Sequence, residues 1–69
     1  MFDRNAFRAE LARNGMTQRE LCEKTGISTA TMTRKIRSGK FGTDDVEKIV
    51  KVLNIKDPAG IFLANIVTH

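Results

Sequence analysis

With 69 residues, 41% of them hydrophobic and 29% charged, and 12 Lys and Arg against 8 Asp and Glu, the chain has the composition of an ordinary soluble globular protein. It supports one domain, residues 1–69, around one small core, which leaves little room for a deep substrate cavity and argues against a disordered tail. An enzyme is disfavoured, and the formal net charge of +4 with a pI near 9.7 biases the chain toward polyanions.

Cys22 is the only cysteine, so no internal disulfide is possible and an oxidising compartment is not needed. No run approaches the roughly 20 apolar residues of a membrane span. Met1 to Glu10 alternates charged and apolar residues without the apolar core of a signal peptide, so it is expected to belong to the fold. Residence in the cytoplasm is the expectation, with no membrane partner.

In chain order, Asp3 or Asn5 can cap a first helix in which Ala6, Phe7, Leu11 and Ala12 recur at helical spacing, with Phe7 and Leu11 inward and an end at Asn14-Gly15. Thr17-Gln18-Arg19-Glu20 has capping-box spacing and opens a second helix that runs to about Thr25. Gly26 can take the left-handed backbone that ends it, and Ser28 can start the next. From Thr29 to Ser38 the only large apolar residues are Met32 and Ile36, four apart on one face, so this third helix is mostly exposed. Ser38 to Gly42 reads as a loop. Thr43, with Asp44 and Asp45, then places a cap and negative charge at the start of a fourth helix whose buried stripe is Val46, Ile49, Val50 and Leu53. Asp57-Pro58 is a cap followed by proline in the first turn, and the apolar run Ile61 to Val67 follows. The pattern predicts an all-α, five-helix bundle with no sheet.

Charge is unevenly placed on this frame. Arg34, Lys35, Arg37 and Lys40 lie between Ser28 and Thr43, a stretch with no acidic residue. The other eight Lys and Arg are matched along the chain by all eight Asp and Glu, so this segment holds the whole +4. A helix, a tight turn and a second helix with unbalanced positive charge suits a rod placed in a DNA groove.

Gln18 to Arg37 resembles the helix-turn-helix of the Cro/CI-type repressor superfamily, the XRE-like family: Gln18 opens the second helix, Leu21 is apolar, Cys22 is in the small-residue slot, Gly26 is in the turn, and Ile27 and Met32 take packing slots. Arg34-Lys35-Ile36, Ser38-Gly39-Lys40-Phe41, Val46 and Ile61-Phe62 are similar to the pattern of small phage regulators, so the likeness spans nearly the whole chain. It implies a lambda-repressor-like DNA-binding fold with the helix-turn-helix at about 17–38. Two departures stand out. Thr25 occupies a usually apolar position, and the last packing position is shifted from Lys35 to Ile36 with one extra residue before Gly39.

Duplex binding needs donors aimed at phosphates to fix register and a few side chains at base edges to choose sequence. The resemblance implies that the start of the second helix meets the backbone, which nominates Gln18, Thr17 and Arg19; the competing reading makes Thr17 a cap and Arg19 a solvated charge. With Met32 and Ile36 committed inward, the outward positions of the third helix for base readout are Thr29, Ala30, Thr33 and Arg34. Arg34 can donate two parallel bonds to guanine, and the threonine and alanine methyls can touch thymine methyls. The alternative is a polar face that only prevents aggregation. Lys35, Arg37, Lys40 and the amides near Gly39 and Thr43 are expected at the far end of the third helix and the next loop, where the opposite phosphate strand would pass. Cations at a helix C-terminus also complement its dipole.

No catalytic constellation emerges. Cys22 reads as a small core residue, Asp44-Asp45 as capping, and Gly39-Lys40 lacks the rest of a phosphate-binding P-loop. His69 is terminal, no metal cluster is present, and no cofactor is implied. The run Ile61 to Val67 is apolar over more than one face, which predicts either closure of the core or a homodimer that spaces two third helices about one DNA turn apart on a palindromic operator. Two functions follow: a sequence-specific regulator of double-stranded DNA, resembling a Cro-like phage or prophage repressor, or a protein-interaction module on the same fold, an antirepressor or modulator that binds a partner repressor.

Overall fold

Local capping chemistry sets the helix boundaries in the computed structural model, which describes residues 2–62. Five helices and no strand occur among the described residues: α1 (Arg4–Arg13), α2 (Gln18–Thr25), α3 (Thr29–Ser38), α4 (Thr43–Leu53) and α5 (Pro58–Phe62). Asp3 opens α1 by accepting the Ala6 N–H on its Oδ1 at 3.0 Å. At α2 the box is reciprocal: the Glu20 N–H donates to the Thr17 hydroxyl oxygen at 3.1 Å, and the Thr17 N–H donates to the Glu20 carboxylate at 2.9 Å. Gly26, at φ 79°, ends α2, and two residues later Ser28 opens α3 by accepting the Thr31 N–H at 3.2 Å. Each such cap contributes about 0.5–2 kcal/mol. Together they hold the α2–α3 turn in one geometry.

One boundary differs from the sequence reading. Gly42, not Thr43, is the cap of α4, and Thr43 is the first helical residue. Glycine has no side-chain acceptor, so the Asp45 carboxylate reaches back and accepts the Gly42 N–H at 3.4 Å. Thr25, in its usually apolar slot, is buried and satisfied: its hydroxyl donates to the Leu21 carbonyl at 2.8 Å. A polar side chain bonded to its own helix removes the desolvation penalty that would otherwise oppose burial.

The core draws on every element. Phe7 and Leu11 of α1, Leu21 and Cys22 of α2, Met32 of α3, Val46, Ile49 and Leu53 of α4, and Ile61 and Phe62 of α5 are buried, with Ile27, Phe41 and Ile55 from the connections. Ala12 is exposed, Ala6 and Val50 are half-buried at its edge, and so is Ile36. The four phenylalanines form one cluster: Phe2 and Phe41 have ring centroids 4.9 Å apart, and Phe41 and Phe62 meet edge-on at 5.2 Å. Phe41 thus pins the α3–α4 loop to the N-terminal segment and α5. Gly39 serves the same junction, since at φ 73° it ends α3 and a Cβ there would lie 3.1 Å from the Phe2 Cβ.

The end of α1 clamps the end of α4. Arg13 donates to the Leu53 carbonyl at 2.9 Å and pairs with Glu10, while the Asn14 amide donates to the Leu53 carbonyl at 3.0 Å. These bonds cover carbonyls that a helix C-terminus leaves unsatisfied. They also fix how α1 lies against the rest, and so where its other arginines point.

Candidate nucleic-acid interface

At about 100° of rotation per residue, Met32 and Ile36 put one stripe of α3 inward, and the opposite stripe carries Ala30, Arg34 and Arg37. All three are exposed, as are Thr29 and Thr33 beside them. The Arg34 guanidinium has no carboxylate partner among the described residues, so its donors are available to an outside acceptor. α3 is therefore a rod anchored by a single fully buried side chain, Met32, with small and cationic groups on its outer face.

Lys35 is turned away from that face. It lies on the flank toward α4, where its Nζ sits 2.8 Å from the Asp45 carboxylate, and both side chains are mostly covered. The Lys35 bond, the nearby Lys35 charge and the Gly42 N–H together hold the Asp45 carboxyl below its ordinary range, against the opposing effect of burial. A cation so engaged reaches a phosphate only by giving up part of that pair, which sets Lys35 apart from Arg37 and Lys40.

Arg37, at the far end of α3, also lines a cleft with Arg4 and Arg8 of α1, Gln18 of α2, and Thr33 and Ile36 of α3. The Gln18 amide nitrogen donates to the Thr33 hydroxyl oxygen at 3.4 Å, tying the first turn of α2 to α3 across the cleft. Arg4 and Arg8 had no place in the sequence reading because Asp3 and Glu10 balance them along the chain. In space those acids are occupied: Asp3 caps α1 and Glu10 binds Arg13. The signal that was present is the four-residue spacing of Arg4 and Arg8, which puts both on one face of α1.

The remaining candidates fall around this surface. Arg19 is exposed and lines a shallow depression with Ser28 and Thr29 at the start of α3, where Glu23 offsets part of its charge. Thr17 keeps its capping role, and since its oxygen accepts a bond, its hydroxyl hydrogen remains available to an outside acceptor. Lys40 is exposed in the loop after α3, its N–H donating to the Ser38 hydroxyl at 3.2 Å. Burial pushes the Cys22 thiol up, as expected of a core cysteine rather than a nucleophile.

A family model described as the Cro/C1-type HTH DNA-binding domain matches residues 7–62. The chain belongs to this family. The match runs from α1 through α5 and brings with it the function of a DNA-binding regulator, with the helix-turn-helix formed by α2 and α3. No curated protein and no solved structure matches the chain significantly. Within the described part of this Cro/C1-type domain, no helix is long and apolar enough to cross a membrane, and no group of three or more His, Cys, Asp or Glu is placed to hold a metal ion.

Proposed function

We propose that this Cro/C1-type domain is a sequence-specific transcriptional repressor of the small Cro-like kind, from a phage or prophage, acting in the cytoplasm on nucleoid DNA. It lays α3 in the major groove of an operator and keeps polymerase from the promoter. The observation that carries this reading is the outer face of α3, where Ala30, Thr33, Arg34 and Arg37 are exposed with no acidic residue on the helix. Arg34 reads guanine by a bidentate pair, and the methyls of Thr29 and Ala30 meet thymine methyls. Thr17, Gln18, Arg19 and Lys40 hold the flanking phosphates and supply affinity rather than choice of sequence. The charge of the face favours DNA over a protein partner, so the antirepressor alternative gains no specific support.

A symmetric pair on a palindromic operator belongs to the same proposal. Ile61 and Phe62 close the core and are buried, so pairing through the apolar C-terminal run rests on residues 63–67, which lie outside the described residues. Sedimentation with and without operator duplex checks it: two chains per operator are expected.

Binding to the promoter region beside the protein's own gene, at two salt concentrations, tests the groove reading. Arg34→Ala is expected to cost about 1–3 kcal/mol on the operator, roughly 5- to 150-fold, and to relax preference at one base pair. An intact Arg34→Ala fold with unchanged affinity and base preference would overturn it.

A further inference from the structure

The cleft between α1, α2 and α3 has a volume of about 190 Å³ and is lined by Arg4, Arg8, Gln18, Thr33, Ile36 and Arg37. Liquid water takes about 30 Å³ per molecule, so there is space for a phosphate group and a few waters. Three arginines line it and no acidic residue does. Their arrangement follows from helix geometry: Arg4 and Arg8 are four apart on α1, Thr33 and Arg37 are four apart on α3, and Gln18 bridges the two rows from the start of α2.

Like charges that line one cleft repel one another. No ion pair joins Arg4, Arg8 or Arg37 to an acid among the described residues, and Glu10 pairs with Arg13 instead. An anion that enters the cleft removes the repulsion and gains charge-assisted hydrogen bonds. Thr33 lines the same cleft. Its oxygen accepts from Gln18, which leaves the hydroxyl hydrogen free to donate to a ligand there.

Resting on the proposed groove binding by α3, we infer that this cleft seats one backbone phosphate of the operator strand that crosses the start of α2. Arg4, Arg8 and Arg37 bind its oxygens, and Thr33, held by Gln18, donates the fourth bond. Thr33 then positions the domain on the backbone and does not read a base. α1, which lies outside the helix-turn-helix, becomes part of the DNA interface, and Arg4 lies outside the matched residues 7–62 as well.

The test compares wild type, Arg4→Gln/Arg8→Gln and Thr33→Val on operator and scrambled duplexes over a salt series, with thermal melting to establish that each variant folds. The double variant is expected to weaken both duplexes by the same factor, about tenfold or more near 0.1 M salt, and to make the log–log salt slope shallower by about 1. Thr33→Val should weaken both duplexes about equally, by a few-fold. A single methylphosphonate scanned through the operator should identify one position where wild type loses affinity and the double variant loses none. Loss confined to the operator, a shifted base preference in Thr33→Val, or no single coupled phosphate would overturn the inference. Unchanged binding by the double variant, beside a wild type that binds the operator, would sink the phosphate seat and leave the groove reading standing. A wild type that binds no duplex would sink both.

Discussion

The side of the molecule built by α1, α2 and α3 and the side built by α4 and α5 line their depressions with different charge. On the first, Arg4, Arg8, Arg34 and Arg37 stand exposed without carboxylate partners among the described residues, and all but Arg34 line a cleft of about 190 Å³. On the second, a wider groove of about 660 Å³ is lined by Val46, Val50, Pro58 and Ala59, with Glu47 and Lys51 of opposite sign at its edge. The larger depression is not the one with chemistry aimed into it. What separates the two is the lining: three arginines and no acid on the first, Glu47 and Lys51 of opposite sign on the second.

The broadest way to break the comparison is to remove the junction that both sides share. Phe41→Ala should destabilise the fold by about 3–5 kcal/mol, since the ring contacts Phe2, Phe7 and Phe62 at once, and a chemical denaturation curve measures it. Both faces should be lost together. If the midpoint barely moves, the aromatic cluster does not organise the two sides.

The next effect sharpens the contrast directly. Arg34→Ala on the α3 face should lower operator affinity by about 1–3 kcal/mol, whereas Lys51→Ala beside the α4–α5 groove should change it by less than about 0.5 kcal/mol in a fluorescence anisotropy titration. Equal losses would mean that DNA meets overall charge rather than one face.

Smaller, and opposite in sign, is the effect of Asp45→Asn. It removes a negative charge and frees Lys35, so binding to any duplex should tighten, with a salt slope steeper by up to about 1. The same substitution should cost at most about 1 kcal/mol of stability, because the pair is only partly buried. Binding that weakens instead would place Asp45 in support of the interface.

The smallest effect is in acid. The Asp45 carboxyl is held below its ordinary value of 3.8, so its contribution to stability is complete above that value and is lost as pH falls through the lower value of the folded state. Thermal melts between pH 5 and pH 2 should therefore fall more steeply for wild type than for Asp45→Asn. Parallel curves would show that the Lys35–Asp45 pair contributes nothing to the fold.

The helix boundaries were legible because caps act over three or four residues: Asp3 to Ala6, Thr17 to Glu20, Ser28 to Thr31. The outward set Thr29, Ala30, Thr33 and Arg34 was legible for a similar reason, since a single helical period with Met32 inward fixes it. Phe41 was harder to read as core, because a lone apolar residue between Lys40 and Gly42 has no periodicity, and only its neighbours Phe2 and Phe62 bury it. Lys35 and Arg37 sit two residues apart on one basic run, yet one meets Asp45 of α4 and the other joins α1. The run gives no sign of that difference.

By itself, the sequence determined five helices, the turn between α2 and α3, and which stripe of α3 faces out, all through interactions that reach no further than a turn or two along the chain. Only the tertiary structure decided which charges are paired. The fold pairs Lys35 with Asp45 of α4 and brings Arg4 and Arg8 into one cleft with Gln18, Thr33 and Arg37. Electrostatic partnership depends on distance in space, so counting acids against bases along the chain does not reveal which charges the fold brings together.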